Sequence, residues 1–128
     1  MKKNHSTKKN IEALIQECEP GQTFIYDDFL KCGIYTRVRC AVVKLCEEGL
    51  LVRIAQGVYA KPGMIPPFIQ VVKELVRRNN SEIIWDRCYL SEDIYSQYPL
   101  NDKYVFYTNG SSRKINYNGV EIIFKQIR

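Results

Sequence analysis

Phe29 to Pro62 reads FLKCGIYTRVRCAVVKLCEEGLLVRIAQGVYAKP. The stretch runs as a helix, a turn, a basic helix and then a tight two-stranded hairpin, which is the second half of a winged helix-turn-helix. The partner that such an order implies is double-stranded DNA. Within it, Val38, Ala41, Val42 and Leu45 recur at i, i+3, i+4 and i+7, which is one face of an α-helix. A recognition helix is therefore expected over residues 36–48. The Thr36 hydroxyl is expected to cap its start, and Gly49 to supply the left-handed residue that ends it. With the apolar face turned inward, Tyr35, Thr36, Arg37, Arg39, Cys40 and Lys44 are left as candidate DNA contacts. Arg37 and Arg39 fall in the first turn, where a cation opposes the helix dipole. Helix stability does not explain them, whereas contact with base edges and phosphates does.

The period then changes. Residues 50–54 and 57–60 read as two short strands around a turn in which Gly57 tolerates positive φ. This hairpin, residues 50–61, is the expected wing, and it places Arg53, Gln56 and Lys61 against the sugar-phosphate backbone. The competing reading is an ordinary α+β unit with a solvated basic surface.

Upstream, Ile11, Leu14 and Ile15 mark a short amphipathic helix from Lys9 to Cys18, which Pro20–Gly21 breaks. Residues 26–30 are expected as the first helix of the helix-turn-helix, with Gly33 at a corner that wants no side chain. Phe24, Phe29, Leu30, Leu45, Leu50 and Val52 are the expected core. Residues 1–9 carry four lysines and no apolar period, and read as a flexible basic arm able to add phosphate contacts, or as a frayed terminus.

The chain has 128 residues, 45% hydrophobic and 26% charged, which suits one domain or two small ones. No apolar run approaches membrane-spanning length and the start lacks the apolar core of a secretory signal, so a cytoplasmic protein without membrane contact is expected. The net charge of +5 is modest. The case for nucleic acid therefore rests on where the charges sit. Five cysteines, Cys18, Cys32, Cys40, Cys46 and Cys88, form no CxxC pair, and reduced thiols are expected in place of a zinc site or disulfide framework. Cys40, between arginines and a lysine on the outward face, is the one thiol placed for redox sensing.

A second unit is expected over residues 64–128, after a 10–63 winged-helix domain. Pro66–Pro67 form a stiff joint, with Pro67 as the first residue of a helix. Phe68, Val71, Val72, Leu75 and Val76 make its apolar stripe. Residues 82–85 read as a strand and residues 91–95 as a short helix capped by Ser91. Three strands then close the chain at 103–108, 113–117 and 120–126. Two Asn–Gly turns, at 109–110 and 118–119, are expected to fold them into an antiparallel meander with Phe106, Ile115, Ile122 and Phe124 in the core. The fold class is thus α+β, a winged helix-turn-helix followed by a small antiparallel meander with one packed helix.

Two motifs, GVYAKPG at 57–63 and YVFYTNGSSRKINYNGVEIIFK at 104–125, resemble those of AbiEi-like type IV antitoxins and related bacterial proteins. That family pairs an N-terminal winged helix with a C-terminal domain bearing a YLTNGPSRKI…IEFK-type hairpin. The resemblance runs from about Ile11 to Lys125 and implies a transcriptional autoregulator encoded beside a toxin, often a nucleotidyltransferase. Further helices usually follow the IEFK-like strand in that family, whereas this sequence stops at Arg128, so the C-terminal domain reads as shortened. Ser111, Ser112, Arg113 and Lys114 put two hydroxyls before two cations, a candidate contact for a phosphate or an acidic partner, against the plain reading of a solvated turn.

Enzymatic activity is not expected. The single histidine, His5, lies in the basic arm and leaves Ser or Cys chemistry without a base. There is no GxxxxGK[ST] loop and no GxGxxG turn. No cofactor and no metal is expected. The candidate partners are double-stranded DNA, a cognate toxin protein and a second copy of the chain. The alternative to a DNA-binding regulator is a module that docks a protein such as the toxin without specific DNA binding. An RNA-binding module ranks behind both, since no aromatic stacking platform is visible.

Overall fold

The computed structural model describes residues 6–88 and 92–127. Helix α1 (Thr7–Gln16) starts where the Ser6 hydroxyl accepts the Lys9 N–H at 3.3 Å, so residues 7–9 are helical and do not belong to a flexible arm. A capping serine just before the first turn is the physical reason. Residues 1–5 of the expected arm lie outside the described residues. Strand β1 (Thr23–Phe24) follows, and then a 3-10 helix over Tyr26–Cys32, where the first helix of the pair was expected. Gly33 closes the corner against the start of α1, where an added Cβ would overlap the Thr7 side chain.

Helix α2 (Tyr35–Glu47) buries Val38, Ala41, Val42 and Leu45, the stripe its spacing predicts. It begins one residue before the expected start. Ile34 occupies the cap position without a side-chain hydrogen bond, so Thr36 lies inside the first turn and caps nothing. Gly49 adopts φ +79° and ends the helix. The N–H groups of Leu50 and Leu51 both reach the Leu45 carbonyl, which ties them to the helix end and delays strand β2 to Val52–Ala55. The expected core is corrected accordingly. Leu51 is buried, while Leu50, Val52 and Leu30 are exposed; Phe24, Phe29 and Leu45 are buried as expected. Strand β3 (Val58–Ala60) pairs antiparallel with both β1 and β2, giving the order β1-β3-β2.

Pro67 caps helix α3 (Phe68–Arg77) from outside rather than opening it. Seven of its ten residues are buried, Phe68, Ile69, Val71, Val72, Glu74, Leu75 and Val76. The other three, Gln70, Lys73 and Arg77, recur at i, i+3 and i+7 and form a narrow solvent face. Residues 82–85 form a single bridge, Ile83 to Thr108, not a strand, because a 3-10 turn at Trp85–Arg87 stops the pairing. Glu92–Tyr95 is a 3-10 helix; the cap expected from Ser91 lies outside the described residues.

Strands β4 (Lys103–Thr108), β5 (Arg113–Tyr117) and β6 (Val120–Gln126) form the second sheet in the order β4-β6-β5. The expected antiparallel meander is overturned. β4 runs parallel to β6, and only β5 and β6 form a hairpin. Asn118 (φ +51°) and Gly119 (φ +84°) make the two left-handed residues of a tight hairpin turn. Asn109 and Gly110 have no positive φ. The Asn109 side chain instead accepts the Glu82 N–H at 2.9 Å, and its N–H reaches the Glu82 carbonyl. That capture sends the chain across the end of β6, where the Ser112 hydroxyl accepts the Gln126 N–H at 2.8 Å.

Two buried clusters result. One holds Ile11, Phe24, Phe29, Val38, Val42, Leu45 and Leu51 with their neighbours. The other gathers α3 and the inner face of the second sheet, and it also takes in Ile25, Ala55 and Val58 from the first sheet region. Each fully buried Val, Leu, Ile or Phe contributes about 1.5–3 kcal/mol, so α3 serves both halves. Arg77 adds a polar tie. It pairs with Asp28 at 2.7 Å and with the buried Glu74 at 2.8 Å, while Asp28 accepts the Ile25 N–H. No helix among the described residues is long and apolar enough to cross a membrane.

Candidate nucleic-acid interface

Helix α2 turns Tyr35, Thr36, Arg37, Arg39, Cys40 and Lys44 to solvent, together with Val43. Its first turn is braced from behind by tyrosines. The Tyr59 hydroxyl on β3 lies 2.8 Å from the Tyr26 hydroxyl, and the Tyr26 ring meets Tyr35 edge-on at 5.7 Å. The Arg39 guanidinium sits 5.8 Å from the centre of the Tyr35 ring, an exposed cation–π contact of about 0.5–1 kcal/mol. Burial first, and then the Tyr26 hydrogen bond, push the Tyr59 phenol well above its ordinary range. It stays neutral and serves as an anchor.

The β2–β3 hairpin turns at Gln56 and Gly57, with Gly57 at φ +72°. The β2–β3 register shifts between Arg53 and Ala55, which bends the strand as a bulge does. Arg53 and Gln56 are exposed. The Cys46 thiol at the end of α2 is raised by burial, and the nearby charge of Arg53 opposes that rise. Burial likewise raises the Cys32 thiol. All five cysteines are free, and Cys40 is exposed.

Other expected contacts are drawn elsewhere. Lys61 donates its Nζ to the Cys18 carbonyl at 2.7 Å and to that of Gln16 at 3.5 Å, at the C-terminal end of α1, where a cation complements the dipole. Arg113 turns inward: it donates to the Leu75 carbonyl and lies 5.1 Å from the centre of the Phe124 ring. Burial, then the charge of Arg78, lowers its pKa. Ser111, Ser112 and Lys114 of that turn face solvent, with the Ser112 hydroxyl accepting the Gln126 N–H.

Among the described residues, Arg37, Arg39, Lys44, Arg53 and Lys114 have no ion-pair partner, whereas Lys8, Arg77 and Lys103 do. The structure adds two cations that the reading of the hairpin omitted. Lys114 lines one cleft with Arg53 and Gln56, and the Arg78 side chain lies over Gly57. Arg78 was visible in the sequence only as the basic end of a helix, and nothing in its spacing points to the hairpin.

A family model described as a family of unknown function (DUF6088) matches residues 10–128. No curated protein and no solved structure matches the chain.

Proposed function

The chain belongs to the DUF6088 family of unknown function, and from that premise we propose that it is a DNA-binding transcriptional regulator of winged helix-turn-helix type. In this reading α2 enters the major groove and the β2–β3 hairpin is the wing. One observation carries it: three cations without ion-pair partners among the described residues, Arg37, Arg39 and Lys44, share the solvent face of α2. Arg37 lies in the first turn, against the helix dipole, and Arg39 opens the second. The strand order β1-β3-β2, with a 3-10 helix and α2 between β1 and β2, supports the reading. The resemblance to AbiEi-like antitoxins extends it to autoregulation in the cytoplasm, with residues 10–63 as the DNA-binding domain and residues 64–128 supporting partner binding or dimerisation. No catalysis is assigned.

Binding to duplex DNA from immediately upstream of the gene, against a scrambled duplex of equal length, tests this. The expected preference is about a thousandfold or more, with a loss of about 1–3 kcal/mol for Arg37→Ala or Arg39→Ala where the side chain reads a base edge. Equal and weak binding to both duplexes would overturn it. A protein partner, such as a cognate toxin, is the second reading. What favours it is a cleft of about 660 Å³ flanked by Val52, Met64, Ile65 and Tyr98, all large, apolar and exposed.

A further inference from the structure

Strands β2 and β5 are outer strands of their respective sheets, and they face each other across a cleft of about 500 Å³. Among the described residues no backbone hydrogen bond joins them. Arg53 and Gln56 line one wall, and Lys114 and Asn116 the other. Neither cation has an ion-pair partner among the described residues. The carboxylate on the neighbouring strand, Glu121 opposite Asn116, is drawn to Lys103 at 3.9 Å. Arg78, packed over Gly57, adds positive charge behind the turn.

Two like charges at one small cleft repel each other, and an anion between them converts that repulsion into attraction. Arg, Lys and two carboxamides supply donors of the type that holds phosphate oxygens. We propose that this cleft seats a phosphodiester of the DNA backbone, so that β5 of the second sheet contributes to the same interface as the hairpin. The inference rests on the DNA-binding reading above, and it adds a contact from outside the helix and its hairpin.

Duplex binding at two salt concentrations with Lys114→Ala separates the two claims. Lys73→Ala, on the solvent side of α3 and away from this cleft, is the charge-matched control. Lys114→Ala is expected to weaken upstream and scrambled duplexes alike and to lower the salt slope by about one. Its deficit against the unmutated chain then shrinks about threefold between 50 and 200 mM salt. Lys73→Ala is expected to leave the slope unchanged. If the unmutated chain binds upstream DNA and Lys114→Ala changes neither affinity nor slope, the cleft is not a phosphate seat and the reading of α2 stands. Equal losses for the two lysines would also overturn the cleft, as a general charge effect. If the unmutated chain binds neither duplex, both claims fall.

Discussion

Both three-stranded sheets place at their centre the strand that comes last in the chain, β3 between β1 and β2, and β6 between β4 and β5. Each is made from one early strand and a later hairpin with a two-residue turn. The first sheet is wholly antiparallel, whereas the second carries a parallel outer pair. The connections differ accordingly. Residues 25–51 leave the first sheet, build two helices and return. Residues 109–112 only step across the end of β6. A tight turn fixes which two strands form a hairpin, but the docking of the third depends on what its connection binds on the way.

The largest test of this comparison is at the helix that both sheets share. Phe68 is fully buried, and its ring lies 4.8 Å from Tyr104, 6.5 Å from Phe106 and 6.1 Å from Tyr117. Phe68→Ala is expected to cost about 3–5 kcal/mol in urea unfolding. Trp85 fluorescence and far-UV circular dichroism should shift together. Two separated transitions would mean that the sheets are independent units and that α3 does not join them.

The two Asn–Gly steps sharpen the comparison at smaller scale. A Cβ on Gly110 would lie 2.7 Å from that of Ser81, whereas one on Gly119 meets nothing within 4 Å. Gly110→Ala is expected to cost about 1–3 kcal/mol by overpacking, and Ser81→Gly should recover much of it in a double-mutant cycle. Gly119→Ala is expected to cost about 1 kcal/mol through its positive φ alone, with no recovery from Ser81→Gly. Recovery at Gly119, or none at Gly110, would undo the distinction.

The smallest effect is alkaline. Burial raises the phenol pKa of Tyr59 in the first sheet and of Tyr104 and Tyr117 in the second. The unfolded chain releases these protons near pH 10, while the folded chain holds them longer. Stability is therefore fully present below about pH 10 and falls as the pH rises toward the folded values. Thermal melts between pH 8 and 11 should show the fall, and Tyr59→Phe should flatten part of it. An unchanged slope in that variant would assign the loss to the second sheet alone.

The residues explain how far the sequence could be read. The α2 stripe was legible because Val38, Ala41, Val42 and Leu45 repeat at helical spacing, and so was the Asn118–Gly119 turn. The parallel pair was not, because Asn109–Gly110 carries the same two letters as a hairpin turn. Its fate is decided by Glu82, far away in sequence. The shift from Leu50 to Leu51 was hidden for a related reason, since the Leu45 carbonyl holds both N–H groups. Of the candidate site, the outward face of α2 was legible from periodicity. The roles of Lys61 and Arg113 were not, because a lysine or arginine looks the same in sequence whether it meets solvent or a carbonyl of its own chain. Lys114 at the hairpin cleft depends on β2 and β5 lying side by side, which no local pattern encodes.

Helix α3 also bears on the order of events at the ribosome. Ile25, Ala55 and Val58 belong to the cluster that α3 completes, yet they are synthesised before it. Until residues 68–77 emerge, Ile25, Ala55 and Val58 lack the cover that α3 gives them. The arrival of α3 thus covers those residues and supplies the surface against which the second sheet packs.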